Sequence, residues 1–88
     1  MQKVMIVGGG KGGSAILELL SGSEDFFIVC LADTKEDAEG ILAAKARNIS
    51  TVLNWSSVMD RELDIIIDTT GDPTVFEEIK RRWGSKRF

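Results

Sequence analysis

Ten residues near the amino end, Val4-Met5-Ile6-Val7-Gly8-Gly9-Gly10-Lys11-Gly12-Gly13, limit what this chain can fold into more than any other stretch. Four apolar residues suited to a buried parallel strand run into Gly8-x-Gly10-x-x-Gly13, and an amphipathic helical stretch follows. With this spacing each glycine has a physical task. Gly8 makes the tight turn, Gly10 lets the backbone come within reach of a pyrophosphate, and Gly13 lets the helix pack closely on the sheet. The helix N-terminus then offers free N–H groups and a partial positive charge of roughly +0.5. Asp33 lies at the end of a second apolar run, residues 26–32, where this arrangement calls for a carboxylate on the adenosine ribose.

The rest of the chain continues the alternation. A first strand is expected at about 3–7 and a first helix at about 12–21, with Ala15, Ile16, Leu19 and Leu20 as its apolar stripe. A second strand at 26–32 precedes a helix at about 36–47. There Ala38, Ile41, Leu42 and the alanines at 43, 44 and 46 form a thin apolar face, and Gly40 is expected to allow close approach to the sheet. Asn48 suits a left-handed C-cap. A short third strand at 51–53, a brief helical segment near 57–61 and a fourth strand at 64–68 follow. Asp72 then caps a last helix with Pro73 at its first position, and Val75, Phe76, Ile79 and Trp83 mark its buried side. Apolar strands separated by helices imply an α/β fold: a four-stranded parallel sheet of order 3-2-1-4, helices on both faces, and a crevice at the carboxyl ends of strands one and four. Strand four would be an edge unless something covers it.

Size makes this a single domain, 1–88, able to bury about 60–65% of its unfolded surface. It is expected to be part of a longer chain or a half-fold that pairs with itself. No apolar run approaches the roughly 20 residues needed to span a bilayer. The N-terminus enters a strand without a secretory-type leader, and the single cysteine, Cys30, cannot form an internal disulfide, so a cytoplasmic location is expected. Residues 1–79 carry six Lys/Arg against fourteen Asp/Glu, a net of −8, while residues 80–88 carry five Lys/Arg and no acid, a net of +5. The acidic body argues against a nucleic-acid partner, and the basic end, with 84–88 as tail or linker, reads as favourable charge at a helix C-terminus. No membrane partner is expected.

Lys11 is either a point charge on the pyrophosphate or a solvated loop lysine. It does not make a mononucleotide P-loop, because Gly12 stands where Ser or Thr must hold magnesium. The carboxylate of Asp33 would repel a 2′-phosphate, so NAD is preferred over NADP, with Lys35 close enough to weaken the preference. The Asp68-Thr69-Thr70-Gly71-Asp72-Pro73 turn flanks the crevice. Thr69, Thr70 and the Gly71 backbone either line the nicotinamide side or serve turn geometry and capping alone. Cys30 reads as core packing, and Trp55 and Trp83 as covers over the core or inter-domain contacts rather than stacking platforms. With no His, no Tyr and one Cys the chain lacks a nucleophilic triad, a Tyr–Lys pair and a metal cluster.

Through the glycine loop, the Leu31-Ala32-Asp33 strand end, Ala38-Glu39-Gly40-Ile41 and Ile66-Ile67-Asp68-Thr69-Thr70-Gly71-Asp72-Pro73, the chain resembles Rossmann-like nucleotide-binding domains. The broader likeness is to the N-terminal domains of the glucose–fructose oxidoreductase, homoserine dehydrogenase and dihydrodipicolinate reductase groups. A narrower one is to the short domain at the N-terminus of some bacterial PAS-containing sensor kinases and regulators. The resemblance implies a three-layer αβα half-fold with Gly8, Gly10, Lys11, Gly12, Gly13, Asp33, Thr69, Thr70 and Gly71 around an NAD. It leads first to an NAD(H)-binding sensory module of a signalling protein, not catalytic alone. The alternatives are the cofactor half of an NAD-dependent dehydrogenase and a non-binding scaffold for dimerisation. A homodimer, or contact with a downstream domain, is expected over strand four or the Phe76/Trp83 face.

Overall fold

Four parallel strands and three helices emerge from that alternation in the computed structural model, which describes residues 1–58 and 62–83. The elements are β1 (Gln2–Val7), α1 (Lys11–Ser21), β2 (Phe26–Ala32), α2 (Glu39–Ala46), β3 (Thr51–Val52), a 3₁₀ turn (Trp55–Val58), β4 (Ile65–Asp68) and α3 (Pro73–Trp83). The sheet order is β3-β2-β1-β4, all parallel, as the right-handed crossover rule requires. The expected residues 59–61 of the short helical segment and the basic tail 84–88 lie outside the described residues.

Alternation along β1 divides the core. Val4 and Ile6 face α1 and α2, where they join Leu17, Ile28, Leu31, Ile41 and Ala44. Met5 and Val7 face the other way, joining Cys30, Val58, Leu63, Ile66, Ile79 and Trp83 beneath α3. The result is a three-layer sandwich. At the amino end of β4 the Asp64 carboxylate accepts the Lys3 N–H (2.8 Å) while the Asp64 N–H donates to the Lys3 carbonyl (2.8 Å), which pins the β1–β4 register. The outer edge of β4 has no neighbouring strand among the described residues.

A bulge breaks the register of β2 against β1. Val4 pairs with Ile28 but Met5 pairs with Cys30, so Val29 is the extra residue. Strict alternation would send Cys30 to the α1/α2 face and Leu31 to the opposite one. The bulge reverses both, and small Ala32 ends the strand on the side where Val7 lies.

Several expectations are corrected. On α1 the buried face is Gly13, Ser14 and Leu17, flanked by half-buried Ile16 and Leu20, whereas Ala15 is exposed and Leu19 is 71% exposed. The closest approach to the sheet belongs to residues without apolar bulk, which a search for apolar spacing passes over. α2 begins three residues later than its pattern, because residues 35–38 form a turn in which the Ala38 N–H reaches the Lys35 carbonyl at 3.2 Å. β3 stops at Val52 and β4 starts at Ile65, each one residue short of expectation. On α3, Val75, Ile79 and Trp83 follow one stripe at i, i+4 spacing, and Phe76, 40% exposed, falls off it. Asn48 has φ 59°, with its N–H on the Lys45 carbonyl (3.1 Å) and the Ile49 N–H on the Ala44 carbonyl (2.8 Å), a Schellman ending as expected for α2.

Candidate functional site

The loop between β1 and α1 is held from three sides. Gly8 turns with φ +107°, and a Cβ there would lie 2.5 Å from the Thr69 hydroxyl oxygen. Thr69 closes this side by donating its N–H to the Val7 carbonyl (2.8 Å) and aiming its hydroxyl at the Val7 and Gly8 carbonyls (3.1 and 3.0 Å). Gly9 is fixed at both backbone groups. Its N–H donates to the Asp33 carboxylate at 2.6 Å, and its carbonyl accepts the Gly40 N–H from the first turn of α2. A side chain on Gly40 would stand 2.8 Å from the Gly9 Cα, so the close approach foreseen for Gly40 is made to the glycine loop and not to the sheet.

Gly13 meets the end of β1 still more closely. A Cβ there would fall 1.8 Å from the Gly8 carbonyl oxygen. Gly10 is different: it is exposed, its backbone is extended (φ −77°, ψ −157°), and a Cβ would meet nothing within 4 Å. The loop is therefore packed tight at Gly8, Gly9 and Gly13 and open at Gly10. Gly10 also serves as the N-cap of α1 without a side chain to cap with, and its carbonyl takes the first helical hydrogen bond, from Ser14 at 2.9 Å. The N–H groups of Lys11, Gly12 and Gly13 precede that bond, as the first turn of any α-helix leaves them. Lys11 and Gly12 are exposed, and no acidic residue lies in this turn.

Asp33 belongs to the loop as much as to β2. One carboxylate oxygen accepts the Gly9 N–H and the other the Lys35 N–H (2.8 Å), while its own N–H reaches the Val52 carbonyl (3.1 Å). Each oxygen keeps a lone pair for a further donor. Across the crevice the Asp68 carboxylate accepts the Thr70 N–H (2.8 Å) and hydroxyl (2.6 Å). The Thr70 hydroxyl oxygen in turn accepts the Asp72 N–H (3.1 Å), and Asp72 caps α3 through the Thr74 N–H (2.9 Å). Thr70 and Gly71, the latter with φ +69°, are exposed at the rim, whereas Thr69 sits behind the loop as a bolt.

Between these walls, at the carboxyl ends of β1, β2 and β4, lies a cavity of about 280 Å³. Val7 and Gly8 form its floor. One wall comes from β2 and the β3 exit (Ala32, Asp33, Thr34, Leu53, Trp55), the other from Thr70, Asp72 and Val75. The sequence pointed to Gly8, Asp33 and Thr70 but missed Leu53, Trp55 and Val75 as lining residues. No spacing rule marks them, because the topology alone brings the β3 exit beside α3. Among the described residues no group of three or more His, Cys, Asp or Glu could hold a metal ion.

The chain resembles several solved structures, among them the following two. One, from Desulfitobacterium hafniense DCB-2 and described as an NADPH-dependent oxidoreductase, matches 93% of this chain and 25% of its own, with a TM-score of 0.78 and 20% identity. The other, apo saccharopine dehydrogenase (L-Glu forming) from Saccharomyces cerevisiae, matches 94% of this chain and 20% of its own, with a TM-score of 0.66 and 18% identity. Likeness at this identity establishes the Rossmann-like fold, and the chain spans a quarter or less of each. No protein-family model and no curated protein matches significantly. Both likenesses fall on the dehydrogenase side of the resemblance, and the narrower one to PAS-containing regulators finds no support in them. No helix among the described residues is long and apolar enough to cross a membrane.

Proposed function

We propose that this chain is the NAD(P)-binding part of an oxidoreductase, with NAD(H) the preferred form. The observation that carries the reading is the opening at Gly10. A loop locked on both sides of that residue leaves one bare stretch of backbone, next to the uncapped N-terminus of α1 and one residue from the Asp33-bound Gly9. Such a stretch fits a diphosphate, which needs N–H donors and no side-chain bulk. The surrounding donors and the Asp33 acceptor suit the rest of a dinucleotide. Gly10, Lys11, Gly12 and Gly13 would hold the pyrophosphate, Asp33 the ribose hydroxyls, and Thr70 and Gly71 the nicotinamide side, with Gly8 and Thr69 shaping the loop from behind.

The nicotinamide, when bound, supplies hydride transfer. This chain's residues bind and orient it, and Asp33, already an acceptor, disfavours a 2′-phosphate. The oxidoreductase reading is preferred to a sensory module because one similar structure is described as an NADPH-dependent oxidoreductase and another as a saccharopine dehydrogenase. The edge of β4 that has no neighbouring strand among the described residues, together with exposed Phe76, is the surface that a further strand or a second copy would cover.

Calorimetric titration of the chain and of Gly10→Val with NAD, NADH and NADP tests this. The parent should bind NAD or NADH, and the variant, folded because its Cβ is unobstructed, should lose at least ~100-fold in affinity. Equal affinity in the two would refute the assignment.

A further inference from the structure

We propose that the indole of Trp55 is the platform on which the adenine ring rests, an inference that builds on the dinucleotide reading above. Among the described residues Trp55 is the only aromatic side chain lining the cavity, and it shares a wall with Asp33. A ribose bonded to Asp33 would bring its base within reach of the wall that Asp33 shares with Trp55. A flat heteroaromatic base needs a flat apolar support, and every base has a face that stacks.

The platform is prepared in advance. Trp55 opens the 3₁₀ turn, which Asn54 staples. The Asn54 side-chain oxygen accepts the Ser56 N–H (3.0 Å) and hydroxyl (2.9 Å), and its carbonyl accepts the Ser57 N–H (3.1 Å) and hydroxyl (2.8 Å). The half-buried indole packs on the cluster that contains Val7 and Val58, and the Arg82 guanidinium carbon lies over one face of the ring, 5.9 Å from its centroid, so that a base stacks on the other face or in place of the guanidinium. Core packing alone would account for a buried ring, as at Trp83. It does not by itself account for a half-buried ring that lines the cavity beside a carboxylate suited to a ribose.

The test compares Trp55→Leu with Trp55→Phe, two side chains of similar bulk of which one is aromatic, by titrating each and the parent with NAD and ADP-ribose. Circular dichroism melts establish that both variants fold. Trp55→Leu should bind both ligands about 5- to 150-fold more weakly, the ~1–3 kcal/mol that base–aromatic stacking supplies, while Trp55→Phe stays within a few-fold of the parent. ADP-ribose, which lacks nicotinamide, should also quench the emission of the parent but not of Trp55→Phe, whose remaining indole is Trp83. If Trp55→Leu binds both ligands like the parent, the platform is refuted and the dinucleotide reading stands. A loss for NAD but not for ADP-ribose would place the indole under the other ring and refute it too. A parent that binds neither ligand overturns both readings.

Discussion

Replacing Gly13 with alanine should be among the most damaging conservative changes available to this protein. In a helix interior Gly→Ala normally stabilises by up to ~1 kcal/mol, since alanine loses less backbone freedom on folding. Here the new methyl would lie 1.8 Å from the Gly8 carbonyl oxygen and 2.8 Å from its carbon, both backbone atoms with no rotamer to escape into. Relief requires α1 to withdraw from the end of β1 by more than 1 Å. That move would loosen the packing of Ser14 and Leu17 and pull on the Thr69 hydroxyl bonds to Val7 and Gly8. Overpacking costs ~1–3 kcal/mol when side chains can adjust and more when backbone must. We expect a net loss of ~2–4 kcal/mol, against a total near 4–13 kcal/mol for a chain this long. A fall in melting temperature of about 10–30 °C follows. Gly12→Ala is the internal control. Its methyl would meet Thr69 at an ordinary 3.7 Å, so it should melt at or slightly above the parent. Urea and thermal unfolding followed by helical circular dichroism would measure both. A Gly13→Ala protein as stable as the parent would show that α1 does not approach β1 this closely.

Other expectations rest on the same contacts. Asp33→Asn keeps one acceptor for Gly9 or Lys35 but removes the charge. It should lower stability by ~1–2 kcal/mol and shift the NADP-to-NAD affinity ratio at least ~5-fold toward NADP, the lower bound for two charges about 4 Å apart in water, read by calorimetry. Gly40→Ala would set a methyl 2.8 Å from the Gly9 Cα, and should cost ~1–3 kcal/mol in urea melts and weaken NAD binding by disturbing the loop. Asn48→Ala loses the residue suited to φ 59° and should cost ~1 kcal/mol, whereas Asn48→Gly should be neutral or stabilising in the same melts.

Much of this protein is written locally. The apolar runs at 4–7, 26–32 and 65–67, the stripe of α3, the Asp72-Pro73 cap and the Asn48 stop follow from periodicity and backbone preference within a few residues, and with right-handed crossovers they determine the sheet order. Gly8, Gly10 and Gly13 are legible for the same reason, as their spacing is a property of one turn. What the tertiary structure decided lies between residues far apart in sequence. Asp33 and Gly40 lock Gly9 across 24 and 31 positions, and Thr69 bolts Gly8 across 61. The bulge at Val29 exchanges the faces that Cys30 and Leu31 would otherwise take, and the β3 exit delivers Trp55 to the cavity. No local pattern encodes these, because each depends on where a partner strand or helix comes to rest. For that reason the sequence could announce a Rossmann-type glycine loop with Gly10 as its open position and Asp33 beside it, but only packing could show what locks the loop on either side of that glycine.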